Sequence, residues 1–233
     1  MAFQRFNRAN DVVENQRTTI SSGLWSGGSG TLTSFYTQST NGAATGSFLE
    51  LYNEDPNLSS SAEVQYAIGY AHYDGSGSTG NTTKLTTGGR QSAALYSQFR
   101  NVLLAPNTDK FEFTNSPTAS GDKDFYFVSF QRARQREKID PGNWELQLSG
   151  ELPIHLSGSS VRLIDDSGAT TNPTVNQGGR VFNVVSGSVA DGVHKTAATE
   201  TQAGAFGLFY PDLGLILLNA IKTELTGGLR PLN

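Results

Sequence analysis

The sequence predicts a mainly β fold: a β-sandwich-like domain of antiparallel strands, with one amphipathic helix at about 89–104 and an extended N-terminal arm. Three observations predict it. Glycine fills 26 of 233 positions, above the usual share of about 7%. Together with Ser, Thr and Asn it separates short apolar segments, as chain reversals between strands require. Charged residues make up only 16%, too few for a bundle of surface-charged helices. Apolar and polar residues alternate in several short windows and follow helical spacing in only one.

Residues 1–34 read as an extended N-terminal arm, and residues 35–233 as the mainly β domain. The arm carries Phe3, Phe6 and Trp25, and Gly27-Gly28-Ser29-Gly30 breaks the chain after it. Two readings stand side by side: an arm whose aromatics dock on a neighbour, or a first edge strand plus a linker. Phe48-Leu49-Glu50-Leu51-Tyr52 is a short strand closed by the turn cluster Asn53-Glu54-Asp55-Pro56-Asn57. From Ala62 to Tyr73, Val64, Tyr66, Ile68 and Tyr70 alternate with smaller or polar residues, which is a strand period.

The helix follows at Gly89 to about Leu104, where Leu95, Tyr96, Phe99, Val102 and Leu103 form one stripe, and Pro106 stops it. That apolar stripe must pack against a sheet. Phe125-Tyr126-Phe127-Val128-Ser129-Phe130 is apolar on both faces, as in a strand covered on both sides. Asp140-Pro141-Gly142-Asn143 has type II turn chemistry, with Pro fixing φ and Gly accepting positive φ. Trp144, Leu146 and Leu148 alternate after it, and strands are predicted again at Val161–Ile164 and Val181–Val185. Ala205–Tyr210 and Leu215–Leu218 flank Pro211-Asp212-Leu213-Gly214 and should form a hairpin. The closing residues Leu229-Arg230-Pro231-Leu232-Asn233 read as the continuing part of a longer polypeptide.

Composition narrows the chemistry. The formal charge of −4 argues against general binding to polyanions. With no cysteine, disulfides, thiolate nucleophiles and thiolate metal sites are excluded. The longest apolar run, Leu213 to Leu218, contains Gly214 and is too short to span a bilayer. Gly75, Gly77 and Gly80 match the spacing of a dinucleotide fingerprint, but Asn81-Thr82-Thr83-Lys84 is a poor helix opening, so a loop between two strands is expected instead. His72, His155 and His194 are isolated, and no Gly-x-Ser-x-Gly elbow is present. The acid pairs Glu54/Asp55 and Asp165/Asp166 lie in turn-rich stretches and read as caps or solvated loops. Asp165-Asp166-Ser167-Gly168 lacks the ligand spacing of a calcium loop. No catalytic, cofactor-binding or metal site is therefore assigned.

The one charge cluster is Arg132, Arg134, Arg136 and Lys138, spaced by two. On a strand these four would line one face; in a loop they would be solvated cations. With Glu137 adjacent and an acidic chain overall, an acidic protein surface is expected as the partner rather than nucleic acid.

The segment from Phe127 through Gln131-Arg132-Ala133-Arg134-Gln135-Arg136-Glu137-Lys138 and Asp140-Pro141-Gly142-Asn143-Trp144 to Leu148 resembles large structural proteins of contractile-tailed bacteriophages, particularly those of marine cyanobacteria. Gly207–Gly214 and the opening Met1-Ala2-Phe3-Gln4-Arg5-Phe6-Asn7 are similar too. The resemblance implies a non-enzymatic tail or baseplate component of the virion, assembled in the host cytoplasm. It would bind other virion proteins as an oligomer in a symmetric assembly, without membrane or nucleic acid. A receptor- or glycan-binding module of a tail fibre and a cell-wall hydrolase are the alternative expectations. The expected interface residues are Phe3, Phe6, Trp25, Arg132, Arg134, Arg136 and Lys138, with Phe125–Leu148 as the structural and contact centre.

Overall fold

A computed structural model describes residues 48–75, 87–113, 122–134, 138–149, 160–169, 173–196 and 205–220. The expected N-terminal arm, with Phe3, Phe6 and Trp25, lies outside them. The described elements are β1 (Phe48–Tyr52), β2 (Val64–His72), α1 (Thr87–Leu103), β3 (Asp124–Phe130), β4 (Leu146–Ser149), β5 (Ser160–Asp165), β6 (Thr174–Asn176), β7 (Gly179–Ser188), β8 (Gly192–Val193), β9 (Gly207–Tyr210) and β10 (Leu215–Asn219), with short 3₁₀ turns at Arg132–Arg134 and Asp166–Gly168.

The described residues are mainly β with one α-helix element, as the sequence pattern predicts. Among the described residues the strands lie in one sheet rather than two. Eight of them form one curled antiparallel sheet in the order β1-β2-β3-β10-β9-β7-β5-β4, and β6 and β8 add to β7. A strand's side-chain pattern reports which of its faces are covered without saying what covers them. Here the covering layers are a helix on one face and an irregular strap on the other.

The side chains of β3 show the division. Phe125 and Phe127 point to the helix face, where they join Tyr96, Leu103, Phe111, Tyr210 and Leu217 in a buried cluster. Tyr126 and Val128 point the other way and join Leu163, Phe182, Val184, Phe209, Ile216 and Leu218. β3 lies between β2 and β10, so both its edges are hydrogen-bonded as well. That makes it central in every direction, as its two-sided apolar sequence requires.

On the helix face, α1 contributes Tyr96 and Phe99, whose rings lie 5.3 and 5.9 Å from that of Phe125; Phe99 is also 4.9 Å from Phe127. Tyr96 is buried, yet its hydroxyl is satisfied: it donates to the Asp122 carbonyl at 2.6 Å and accepts from the Phe111 N–H at 3.1 Å. Val102, expected in the buried stripe, is instead 54% exposed. Gly69 sits opposite Phe127 in the β2–β3 ladder, and a Cβ there would lie 2.2 Å from the Phe127 ring, so glycine leaves the space that ring fills.

β7 is the hub of the far half. Val184 pairs with Asp165 on one edge and Gly207 on the other, which places β5 and β9 on opposite sides of it. β9 and β10 form the expected hairpin around Pro211–Gly214.

Candidate interaction surface

The connection from β3 to β4 must pass four strands, because β10, β9, β7 and β5 lie between them in the sheet. It does so as a strap, held at successive points. Phe130 N–H donates to the Gly214 carbonyl at 2.9 Å and Gln131 N–H to the Gln65 carbonyl at 3.0 Å. Ile139 N–H donates to the Pro211 carbonyl of the β9–β10 turn at 3.1 Å. Gly142 N–H donates to Asp165 Oδ2, at the end of β5, at 2.7 Å. Ile139 and Trp144 pack into the core opposite the helix, and the Trp144 ring lies 5.0 Å from that of Phe209. The expected strand at Trp144 therefore begins only at Leu146, because Trp144 still belongs to the strap.

The turn within the strap is the one its sequence specifies. Gly142 has φ +80°, and Asn143 N–H donates to the Asp140 carbonyl at 3.2 Å, the signature of a turn closed at its fourth residue. Of the two readings of the neighbouring acid pair, the cap holds for Asp165 and the solvated loop does not: Asp165 and Asp166 are 1% and 4% exposed. Asp165 caps the 3₁₀ turn through Ser167 N–H at 3.0 Å and holds Gly142 with its other oxygen. Asp166 accepts from Asn183 N–H at 2.9 Å and Asn183 Nδ2 at 2.8 Å. All four oxygens thus take an N–H, which is how a buried carboxylate is satisfied without a cation. The pair clasps strap, β5 and β7 together. Glu54 and Asp55 match expectation better: Asp55 accepts from Asn57 N–H at 2.8 Å, and Glu54 from the Ser59 and Ser61 hydroxyls.

The basic cluster lies on this strap. Arg132 opens the 3₁₀ turn and is exposed, and Lys138 is exposed beside the Pro211–Gly214 turn. Arg134 closes the 3₁₀ turn, its side chain outside the described residues, as is all of Arg136. The backbone at 132–134 is not extended, so the strand geometry that would line up four cations does not form there. Near Lys138, Asp212 bonds Arg180 at 2.9 Å. That hydrogen bond, helped weakly by Lys138, holds the Asp212 carboxyl below the usual carboxylate range.

The alternatives can be placed too. A cleft of about 650 Å³ lies between the 104–112 loop and β6, β7 and β9, and Asp109, Lys110, Glu112, Asn176, Asn183 and Tyr210 are among its lining residues. Its polar groups are largely engaged: Asp109 accepts from the Tyr73 hydroxyl and pairs with Arg100 at 3.1 Å, and Asn176 donates to Tyr210 Oη at 3.0 Å. Tyr210 itself is buried, so it offers no stacking platform for a sugar. Gly75 lies in the turn after β2, its N–H on the His72 carbonyl at 3.1 Å, while Gly77 and Gly80 lie outside the described residues, and the next described element is α1. β2 and β3, which flank α1, are antiparallel, whereas a dinucleotide fold needs a parallel crossover. Ser188 donates to Asp191 Oδ2 at 2.8 Å, and Asp191 lies 4.0 Å from His194 Nε2. The serine therefore faces the acid rather than the imidazole, which inverts the order of a nucleophilic triad. His155 lies outside the described residues. Among those residues no helix is long and apolar enough to cross a membrane, and no group of three or more His, Cys, Asp or Glu is placed to hold a metal.

Sequence reasoning missed Leu58 and Leu213. Leu58 is 86% exposed on the β1–β2 connection, and Leu213 is 43% exposed on the β9–β10 turn. A leucine inside an otherwise polar turn cluster is the one sequence signal that points to them. Comparison with protein-family models, with curated proteins and with solved structures finds no match.

Proposed function

We propose that the protein is a structural component of a tailed-phage virion, in the tail or baseplate, which works by assembly contacts with other virion proteins. One observation carries the reading: exposed cations ride on an irregular strap that backbone hydrogen bonds and a buried carboxylate fix to the sheet. Charges fixed in this way set the register and encounter rate of a protein contact. The resemblance of the same segment to virion proteins supports it. The groups that meet these cations are acidic, on a neighbouring subunit.

The test is incorporation. Virions grown with Arg132→Ser, Arg134→Ser and Arg136→Ser combined should contain much less of this chain, while the purified variant keeps its circular dichroism and melting temperature. Normal incorporation would refute the contact role.

A further inference from the structure

We infer that the strap end of the sheet binds a second copy of this chain about a twofold axis. This deepens the assembly reading above and rests on it.

Strand order places several connections at one end of the sheet. They are the β1–β2 connection, the start of the strap after β3, the β9–β10 turn and the β6–β7 turn. Gln131 N–H on Gln65 O and Phe130 N–H on Gly214 O bring the first three side by side. Neighbouring strands lie about 4.8 Å apart, so these connections make one continuous surface rather than separate tips.

That surface has two properties. It is apolar where solvent should favour polar groups: Leu58, Val175 and Leu213 are 86%, 70% and 43% exposed. Val102, 54% exposed, borders a groove of about 220 Å³ that Leu213 also lines. Of the five large hydrophobics exposed among the described residues, only Val189 lies elsewhere. The surface also carries both signs of charge next to each other. Glu54 and Asp55 sit on the β1–β2 connection, and Arg132 and Lys138 on the adjoining strap. The β1–β2 connection is internally braced: Asp55 O accepts from Leu58 N–H at 3.1 Å and Ser59 N–H at 2.9 Å, so Leu58 is held outward by a rigid turn.

The arrangement of charge selects the occupant. A uniformly acidic partner would meet Arg132 and Lys138 but would repel Glu54 and Asp55 beside them. The surface needs a partner with the two signs in swapped order and an apolar contact between them. A twofold rotation of the same surface supplies that pattern, placing each acidic turn on the other copy's strap. Self-complementary twofold contacts are also the commonest way in which like chains associate.

The experiment is sedimentation equilibrium of the full chain at low and moderate salt. Wild type should sediment at twice the chain mass, and association should weaken as salt rises. Leu58→Asp, at a site too exposed to affect folding, should sediment as a monomer. Glu54→Lys with Asp55→Lys, and separately Arg132→Glu with Lys138→Glu, should each weaken association by at least about tenfold, since like charges across an interface are strongly unfavourable. An equimolar mixture of the two charge-reversed variants should associate again. Wild type that remains monomeric, or variants that associate as wild type does, would overturn the inference. So would a mixture that fails to reassociate, or a monomer that instead binds a different virion protein. Any of these would leave the virion role itself to stand or fall on incorporation.

Discussion

The two faces of the sheet are covered by chain of two different kinds, and the difference explains what each face does. One face is covered by α1, whose own hydrogen bonds satisfy its backbone, so its aromatic side chains are free to fill the core against Phe125 and Phe127. The other is crossed by the strap, which has no repeating backbone pattern and depends on distant acceptors such as Gln65 O, Pro211 O and Asp165 Oδ2. The helix face is therefore a site of stability. The strap face is held by single anchors: the groups that tie the strap down lie on either side of its exposed Arg132 and Lys138.

The largest effect should come from deleting a ring on the helix face. Phe127→Ala should lower the unfolding free energy by about 3–5 kcal/mol, measured by urea denaturation, because Gly69 and Phe99 already fit closely around that ring. The matching deletion on the other face, Val128→Ala, should cost less. If it cost more, the assignment of stability to the helix face would fail.

Asp165→Ala sharpens the comparison from the strap side. It removes the acceptor of both Gly142 and Ser167 N–H groups. Leaving a buried donor unsatisfied costs about 1–3 kcal/mol. Hydrogen exchange should quicken at Gly142 and Asn143 well before it does at α1. Equal acceleration at both places would mean that the strap is not a separable layer.

How much of this was legible in the sequence follows the same division. α1, β2, β3, the Pro141-Gly142 turn and the β9–β10 hairpin carry their own local patterns, and each lies within two residues of where those patterns put it. The rest of the strap carries none, since the hydrogen bonds that anchor it to the sheet join residues far apart in the chain. Asp165 is legible as a cap from the turn that follows it, but its burial with Asp166 is not, because that depends on the distant strap and Asn183. Val102 matches the helical stripe yet faces the groove beside Leu213, beyond the packed sheet. The surface with Leu58 was illegible for a plainer reason, that exposure is a property of the assembled sheet.

Alkaline titration probes both faces at once. Burial raises the Tyr66 hydroxyl to about 12, and burial raises Tyr96 on the helix face as well. A phenol whose folded pKa lies above its unfolded value favours folding fully below that unfolded value, about 10, and loses the contribution as pH climbs through the folded value. The melting temperature should be insensitive to these two groups at neutral pH and fall between about pH 10 and the higher folded values. A Tyr66→Phe variant should lose part of that fall. An unchanged alkaline profile would show that Tyr66 is solvated.

The smallest effect on stability should accompany the largest on assembly. Replacing Arg132, Arg134 and Arg136 with serine should change the unfolding free energy by less than about 0.5 kcal/mol, as exposed charges usually do. The decisive measurement is the copy number of this triple variant in purified particles, set beside its melting temperature. The account predicts a wild-type melting temperature with strongly reduced incorporation. A variant that is incorporated at the wild-type level would contradict it.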